Sequence, residues 1–138
     1  MKSLARTAGL AALTTTLALF PSLAMAQPVA QTPLAQPVQV SGSVIPSRSS
    51  NCGFLAEEAA QVLQVNEEFA SVDITVSGDS GVTLLVEGSN GFMECLTTNA
   101  LAGNTTSSPG LLNQGTYSFY VGNENQTPTA YNLVISQN

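Results

Sequence analysis

The sequence contains no histidine and no tryptophan, and only three of its 138 residues are lysine or arginine. Without histidine the chain lacks the commonest general base and the usual serine or cysteine triads. Its single lysine, Lys2, lies at the very start of the sequence. If the N-terminal segment is removed, no lysine remains for Schiff-base or serine–lysine chemistry. Neither a phosphate-binding loop nor a dinucleotide fingerprint occurs. These absences argue against an enzyme of the common classes, and we expect no cofactor.

The first residues predict export. A short basic start, an apolar run over residues 8–20 and the motif Ala24-Met25-Ala26 are typical of a secretory signal peptide. The apolar run is shorter than the roughly 20 residues that a membrane-spanning helix needs. We predict that residues 1–26 are removed, that the mature protein begins at Gln27, and that it is secreted or periplasmic without membrane contact. N-terminal sequencing of exported material checks this.

The predicted mature chain is strongly acidic. It keeps Arg48 as its only basic side chain against nine acidic ones, a formal charge of −8. Such a surface repels the phosphates of nucleic acids and anionic membranes, and it favours a soluble protein. We therefore expect no nucleic-acid partner and a monomer.

The hydrophobic pattern predicts an all-β fold. Apolar and polar residues alternate over residues 70–76, 117–121 and 131–135, as in strands with one buried face. Residues 82–86 are almost continuously apolar, as in a strand covered on both faces. Short strands separated by glycine-rich turns favour an antiparallel β-sandwich of jelly-roll type.

Composition divides the predicted mature chain into a lead-in and one domain. Residues 27–37 are rich in proline and glutamine and predict a mobile linker, followed by the β-sandwich domain over residues 38–138. Within the domain we expect a serine-rich loop at residues 46–51, a turn at residues 66–68 and a long surface loop at residues 97–110.

Two cysteines in an exported chain favour a disulfide. Cys52 and Cys95 would close a long loop, which the chain-entropy model values at about 4 kcal/mol. Two thiols without histidine fall short of a tetrahedral zinc site, and their spacing is not that of a Cys-x-x-Cys redox site. We predict a structural bridge.

Carboxylates are the remaining catalytic candidates. Glu57 and Glu58, like Glu67 and Glu68, are sequence neighbours near expected turns. Neighbours in a strand point to opposite faces, whereas a glycosidase needs two carboxylates that converge across a cleft. We interpret these pairs as solvated charge, with a small carboxylate-dependent, glycosidase-like hydrolase as the alternative.

Calcium is the metal to consider, because several oxygen ligands are present. Asp73, Asp79 and Glu87, with Asn66 or Asn90, have the right chemistry, but their spacing matches no EF-hand loop. Aspartate is common in turns such as the one at Asp79 for backbone reasons alone. We expect no metal site and no calcium requirement for folding.

One family resemblance is visible. The order of four features resembles the bacterial pre-peptidase C-terminal domain. These features are a strand–turn–strand run at residues 69–86, Cys95, a Gly-Thr-Tyr strand at residues 114–122 and a Tyr-x-Leu strand at residues 131–135. The resemblance covers about residues 69–136. It implies a compact jelly-roll sandwich, usually appended to secreted peptidases, that is non-catalytic and assists secretion, stability or substrate contact.

This chain departs from that setting, because we identify no catalytic domain before the resembling region. Small stand-alone secreted relatives have a similar cysteine pair and a similar Cys-Gly-Phe segment. Here the pair is Cys52 and Cys95, and the segment is residues 52–54.

We therefore expect an exported, non-catalytic module with a binding, structural or accessory role that contacts a protein or a glycan. Phe92 and Tyr120 are the candidate surface contacts, whereas Tyr117 is better explained as core. The absence of tryptophan weakens the glycan hypothesis. Two acidic groups inside one pocket would favour the hydrolase, and scattered carboxylates would favour the module.

Overall fold

A computed structural model describes residues 29–138 and Gly9, so the rest of the predicted signal peptide and the cleavage site at Gln27 lie outside the described residues. The described chain is almost entirely β-structure, with a single 3-10 turn at Ala100–Ala102. None of the described residues belongs to a helix long and apolar enough to cross a membrane. The strands are β1 Val29–Gln31, β2 Val38–Val44, β3 Arg48–Ser50, β4 Gly53–Leu55, β5 Gln61–Gly78, β6 Val82–Gly88, β7 Met93–Thr97, β8 Thr105–Asn123 and β9 Thr129–Gln137.

The strands form two layers that share their longest members. The front sheet contains β7, β6, the second half of β8 and the first half of β5, and it continues through β4 to β3. The back sheet contains the first half of β8, the second half of β5, β9 and β2. All pairings except that of β1 are antiparallel. The predicted antiparallel β-sandwich is confirmed.

The turn predicted at residues 66–68 is wrong, because β5 continues through it. The register with β8 shifts there, between Val65 and Phe69, which makes an irregularity of the bulge kind. Bulges bend a strand and increase its twist, and here the bend carries β5 from the front sheet to the back sheet. A polar triplet in a strand that changes sheets looks like a turn in the sequence.

The N-terminal segment joins the sheet earlier than expected. Residues 29–31, predicted as part of a linker, pair in parallel with residues 62–64 of β5. Thr32 is 2 % exposed, and its hydroxyl donates a hydrogen bond to Glu67 and accepts one from the backbone N–H of Asn66, at 3.0 Å. The segment thus supplies partners to backbone groups that the bulge leaves unpaired. The rest of the domain division stays a prediction.

The long loop predicted at residues 97–110 is also wrong. β8 begins at Thr105, and residues 105–109 pair with residues 73–77 of β5. This part of β8 has little apolar signal because its less exposed positions hold Thr106, Ser108 and Gly110 instead of apolar residues. Its β-branched and small polar residues still suit a half-exposed strand.

The space between the sheets is filled by one continuous apolar cluster, the main core. Tyr117 is fully buried in it, as predicted, and its hydroxyl donates to the backbone oxygen of Asn113 at 2.7 Å and accepts from Asn90 Nδ2 at 3.0 Å. The buried members of the main core are Val44, Leu63, Val65, Ala70, Val72, Ile74, Val76, Val82, Leu84, Val86, Leu112, Tyr117, Phe119, Val121, Leu133 and Ile135.

Candidate functional site

A second, smaller apolar cluster lies on the outer face of the front sheet. Cys52, Leu55 and Leu85 are buried in this outer core, and Tyr120 packs against them. Leu85 is buried although its neighbour Leu84 points into the main core, so β6 is covered on both faces, as its apolar run predicted. The covering element on the outer side is the hairpin formed by β3 and β4.

This hairpin replaces the loop predicted at residues 46–51. Gly53 follows its turn with φ near 80°, a left-handed conformation that glycine adopts without steric cost. Ser50 Oγ donates to the backbone oxygen of Gly53 at 2.7 Å and accepts from the Cys52 N–H at 3.0 Å. β4 then lies directly against β8 at Gly122, where a Cβ atom would overlap the carbonyl oxygen of Phe54.

The predicted disulfide fixes the hairpin in this position. Cys52 and Cys95 are bonded, with an S–S distance of 2.02 Å and a Cα–Cα distance of 5.7 Å. Cys95 lies on β7, at the other side of the front sheet from β4. The turn of the hairpin therefore curls over β8 and β6 and is tied to β7. The structural-bridge prediction is confirmed.

Arg48, the first residue of β3, belongs to this covering hairpin. Its guanidinium carbon is 4.7 Å from the centre of the Tyr120 ring, within the range of a cation–π contact. Its Nε and Nη2 atoms are buried, and neither has a hydrogen-bond partner among the described residues. Nη1 is not among the buried unpaired atoms and is the nitrogen that solvent can reach. Almost all buried polar groups in folded proteins are paired, so this guanidinium is an exception.

A cavity of about 460 Å³ opens beside Arg48, and we call it the disulfide cavity. Leu85, Met93 and the disulfide give it an apolar floor, while Arg48 and Glu87 add one charge of each sign. The described residues contain no ion pair between these two side chains. The lining consists of Arg48, Ser50, Asn51, Cys52, Leu85, Glu87, Met93 and Cys95.

A second cavity, of about 280 Å³, lies at the edge of the main core near Phe92. The Phe92 ring packs edge-on against Tyr117, with ring centres 5.7 Å apart. The side chains of Asn90 and Tyr117 are already paired here, because Asn90 donates to the Tyr117 hydroxyl and accepts from the Phe92 N–H at 3.1 Å. This cavity therefore offers fewer free polar groups to a ligand than the disulfide cavity.

The structure does not bring the two predicted contact residues together. Phe92 packs against the main core and Tyr120 against the outer core, on opposite faces of the front sheet. Tyr120 supports Arg48 from below instead of presenting a free ring face. Their role as surface contacts stays a prediction.

The carboxylate pairs, interpreted from the sequence as solvated charge, have separate surroundings. Glu57 accepts a hydrogen bond from Ser47 Oγ at 2.9 Å, at the base of the hairpin. Glu67 accepts from Thr32 and Gln137 at the bulge, and Thr32 in particular holds its pKa below the ordinary value. Neither residue lines the disulfide cavity or the second cavity.

The calcium candidates are also apart. Asp73 lies within β5, Asp79 in the turn before β6, and Glu87 in the disulfide cavity. Within residues 29–138 there is no group of three or more histidine, cysteine, aspartate or glutamate side chains that could hold a metal ion.

Arg48 is the residue that sequence reasoning missed as a site. The signal was available, because Arg48 is the only cation of the predicted mature chain. Its position over Tyr120 could not be predicted, since it depends on a hairpin that the serine-rich sequence did not reveal.

No family model and no curated protein matches the sequence. Among solved structures, the pre-peptidase C-terminal domain of a collagenase from Bacillus anthracis matches with a TM-score of 0.53 at 16% identity, over 80% of this chain and 97% of that one. PliG from Aeromonas hydrophila, a periplasmic inhibitor of g-type lysozyme, matches with a TM-score of 0.38 at 14% identity, over 82% of this chain and 100% of that one. The first match confirms the fold that the resemblance implied: this chain is a β-sandwich with the fold of the pre-peptidase C-terminal domain.

Proposed function

We propose that this protein is an exported, non-catalytic binding module whose contact site is the disulfide cavity. The observation that carries the proposal is the guanidinium of Arg48, which lines the cavity while two of its nitrogens have no hydrogen-bond partner within residues 29–138. A buried donor without a partner costs free energy. A cost of this kind is expected where the missing partner belongs to another molecule.

The distribution of carboxylates supports binding over hydrolysis. Glu87 is the one carboxylate that lines the disulfide cavity, and the lining of the second cavity contains none. Acid–base cleavage of a glycoside requires two carboxylates facing one site. Neither of these two cavities meets this requirement.

A protein partner fits the cavity better than a glycan. Sugar rings bind to free aromatic faces, and the Tyr120 ring is already covered by Arg48. The cavity instead combines a guanidinium with apolar surface, and arginine and methionine are both enriched where proteins meet.

Site-directed photo-crosslinking in the native cells tests the proposal. One variant carries the photoreactive residue at Asn51, which is exposed at the cavity. The control variant carries it at Ser107, which is exposed on the outer face of the back sheet. We expect a cross-linked partner from position 51 only, and its loss when Arg48→Gln is added. Equal adducts from both positions, or none from either, would contradict the proposal.

A further inference from the structure

We propose that the disulfide cavity binds the C-terminal residue of a partner polypeptide, with Arg48 taking the free carboxylate and the apolar floor taking the last side chain. This inference rests on the proposed function, because it specifies the chemical group bound at the same site.

The guanidinium supplies the recognition of the carboxylate. Arginine carries a permanent charge and a planar fork of donors that matches the two oxygens of a carboxylate. The guanidinium carbon lies 4.7 Å from the centre of the Tyr120 ring, and this contact holds the fork beside the cavity. A carboxylate meets Nη1 first, since Nη2 is covered. The guanidinium can then turn on its flexible stem and make a second contact through Nη2. This contact gives a buried donor the hydrogen-bond partner that it lacks among the described residues.

The floor supplies the recognition of the side chain. Leu85, Met93 and the disulfide form an apolar surface next to the charge. The cavity volume of about 460 Å³ greatly exceeds one carboxylate and lies in the range of pockets that enclose a small organic group. A C-terminal residue with an apolar side chain places its carboxylate at Arg48 and its side chain on the apolar floor. An internal aspartate or glutamate would leave the floor uncovered.

Charge restricts the ligand to a single negative group. Glu87 lines the same cavity, and the described residues contain nine carboxylates against the one guanidinium of Arg48. A dianion such as phosphate gains one favourable contact here and meets repulsion from Glu87 and the surrounding field. Asn51 is exposed at the rim, with no hydrogen bond to its side chain among the described residues, and its amide can pair with the last peptide group.

Three small probes separate these chemistries. The oxidised, ¹⁵N-labelled protein is titrated with N-acetyl-leucine, N-acetyl-leucinamide and the α-amide of N-acetyl-glutamic acid, while the Arg48 Nε–Hε and Met93 methyl resonances are followed by NMR. We expect N-acetyl-leucine to shift both signals to saturation with a Kd on the order of millimolar, as for a fragment of this size. The neutral amide should shift neither signal.

Matched variants assign the interaction to the two charged groups. Arg48→Lys keeps the charge and loses the fork, so we expect binding of N-acetyl-leucine to weaken by about tenfold, as expected when a two-point contact is lost. Glu87→Gln removes the repulsion, so binding of N-acetyl-leucine should tighten and inorganic phosphate should begin to bind. Unchanged melting temperatures of both variants confirm that they fold.

Equal binding of the acid and its amide would overturn the inference, as would no shift with any probe. Preferential binding of the glutamate probe would show that acidic side chains are the ligand and would likewise overturn it. In each of these cases a cross-link from position 51 would still stand, so the failure of this inference is distinguishable from the failure of the proposed function.

Discussion

The main core and the outer core lie on opposite faces of the same two strands, β6 and β8, and they are closed by different means. In the main core, two sheets face each other and many alternating side chains share the burial. In the outer core, a short hairpin and one disulfide provide the cover. Burial in the first is distributed over many contacts, whereas burial in the second depends on a single covalent bond.

The cores also differ in how they treat polar groups. Tyr117, in the main core, has both a donor and an acceptor partner for its hydroxyl. Arg48, over the outer core, has two buried nitrogens without a partner in the described part of the chain. Full pairing is what stability favours, and departures from it are expected at functional sites. The comparison teaches that the main core pairs its buried hydroxyl, while the outer core holds buried donors without partners among residues 29–138, which is expected to cost free energy.

Two adjacent leucines of β6 measure the difference directly. Leu84 is 0% exposed in the main core and Leu85 is 6% exposed in the outer core. We expect Leu84→Ala to lower the free energy of unfolding by about 3–5 kcal/mol and Leu85→Ala by about 2 kcal/mol, because the outer site has fewer neighbours and an open cavity beside it. Urea unfolding of both variants measures this. Equal losses would show that the two cores are energetically alike.

Loss of the disulfide should release the outer core and leave the main core folded. For Cys52→Ala with Cys95→Ala we expect a loss of about 2–4 kcal/mol, and thus a melting temperature lower by about 5–15 °C with the β-sheet spectrum intact. Reduction of the wild-type protein should give the same melting temperature as the double variant. Reactive thiols in denatured, unreduced protein, or an unchanged melt, would show that the bond does not hold the outer core.

Replacement of Arg48 tests whether its guanidinium lowers stability. Arg48→Met keeps an apolar stem and removes two unpaired donors, which offsets the loss of the contact with Tyr120. We expect the free energy of unfolding to stay constant or to rise by up to about 2 kcal/mol. Arg48→Ala is the control and should be less stable than Arg48→Met, because it also loses the packing of the stem. A clear destabilisation by methionine would show that the guanidinium is a stabilising group.

The smallest effect is expected at the bulge, where β5 leaves the regular register between Val65 and Phe69. The hydrogen bond from Thr32 lowers the pKa of Glu67 below its ordinary value of 4.5. A lowered pKa means that the ionised form stabilises the folded state. This contribution is present above pH 4.5 and is lost as the pH falls through the lower, folded-state pKa.

We therefore expect a small stability difference between wild type and Glu67→Gln at neutral pH that disappears in acid, measured by urea unfolding at a series of pH values. Glu68→Gln, at the exposed neighbouring position, is the matched control and should show no such trend. A difference that is constant with pH would mean that the charge of Glu67 is not involved.

The sequence predicted the parts of the fold whose strands have one apolar face. Residues 70–76 and 117–121 alternate clearly, and both line the main core as expected. The start of β8 at Thr105 escaped prediction because its inward positions hold Thr106, Ser108 and Gly110, which are polar or small and remove the contrast that alternation needs. The bulge at residues 66–68 looked like a turn, because a bulge and a turn each interrupt an apolar pattern with polar residues.

The candidate site was predictable only in part. The pairing of Cys52 with Cys95 followed from compartment and count. The position of Arg48 did not, because contact with Tyr120 requires the hairpin to fold back over the front sheet. A long-range contact of this kind leaves no periodic trace in the sequence.

Strands β5 and β8 each belong to both sheets, and this has a consequence for how the chain folds. Residues 61–65 of β5 pair with residues 115–119 of β8, and beyond the bulge the same two strands pair again in the other layer. Neither sheet can form without strands that also build its partner, so no half of the sandwich is an independent folding unit. We expect the amide protons of both strands to exchange with water only when the whole molecule opens. Because the paired segments are distant in the chain, the search that joins them makes folding slow.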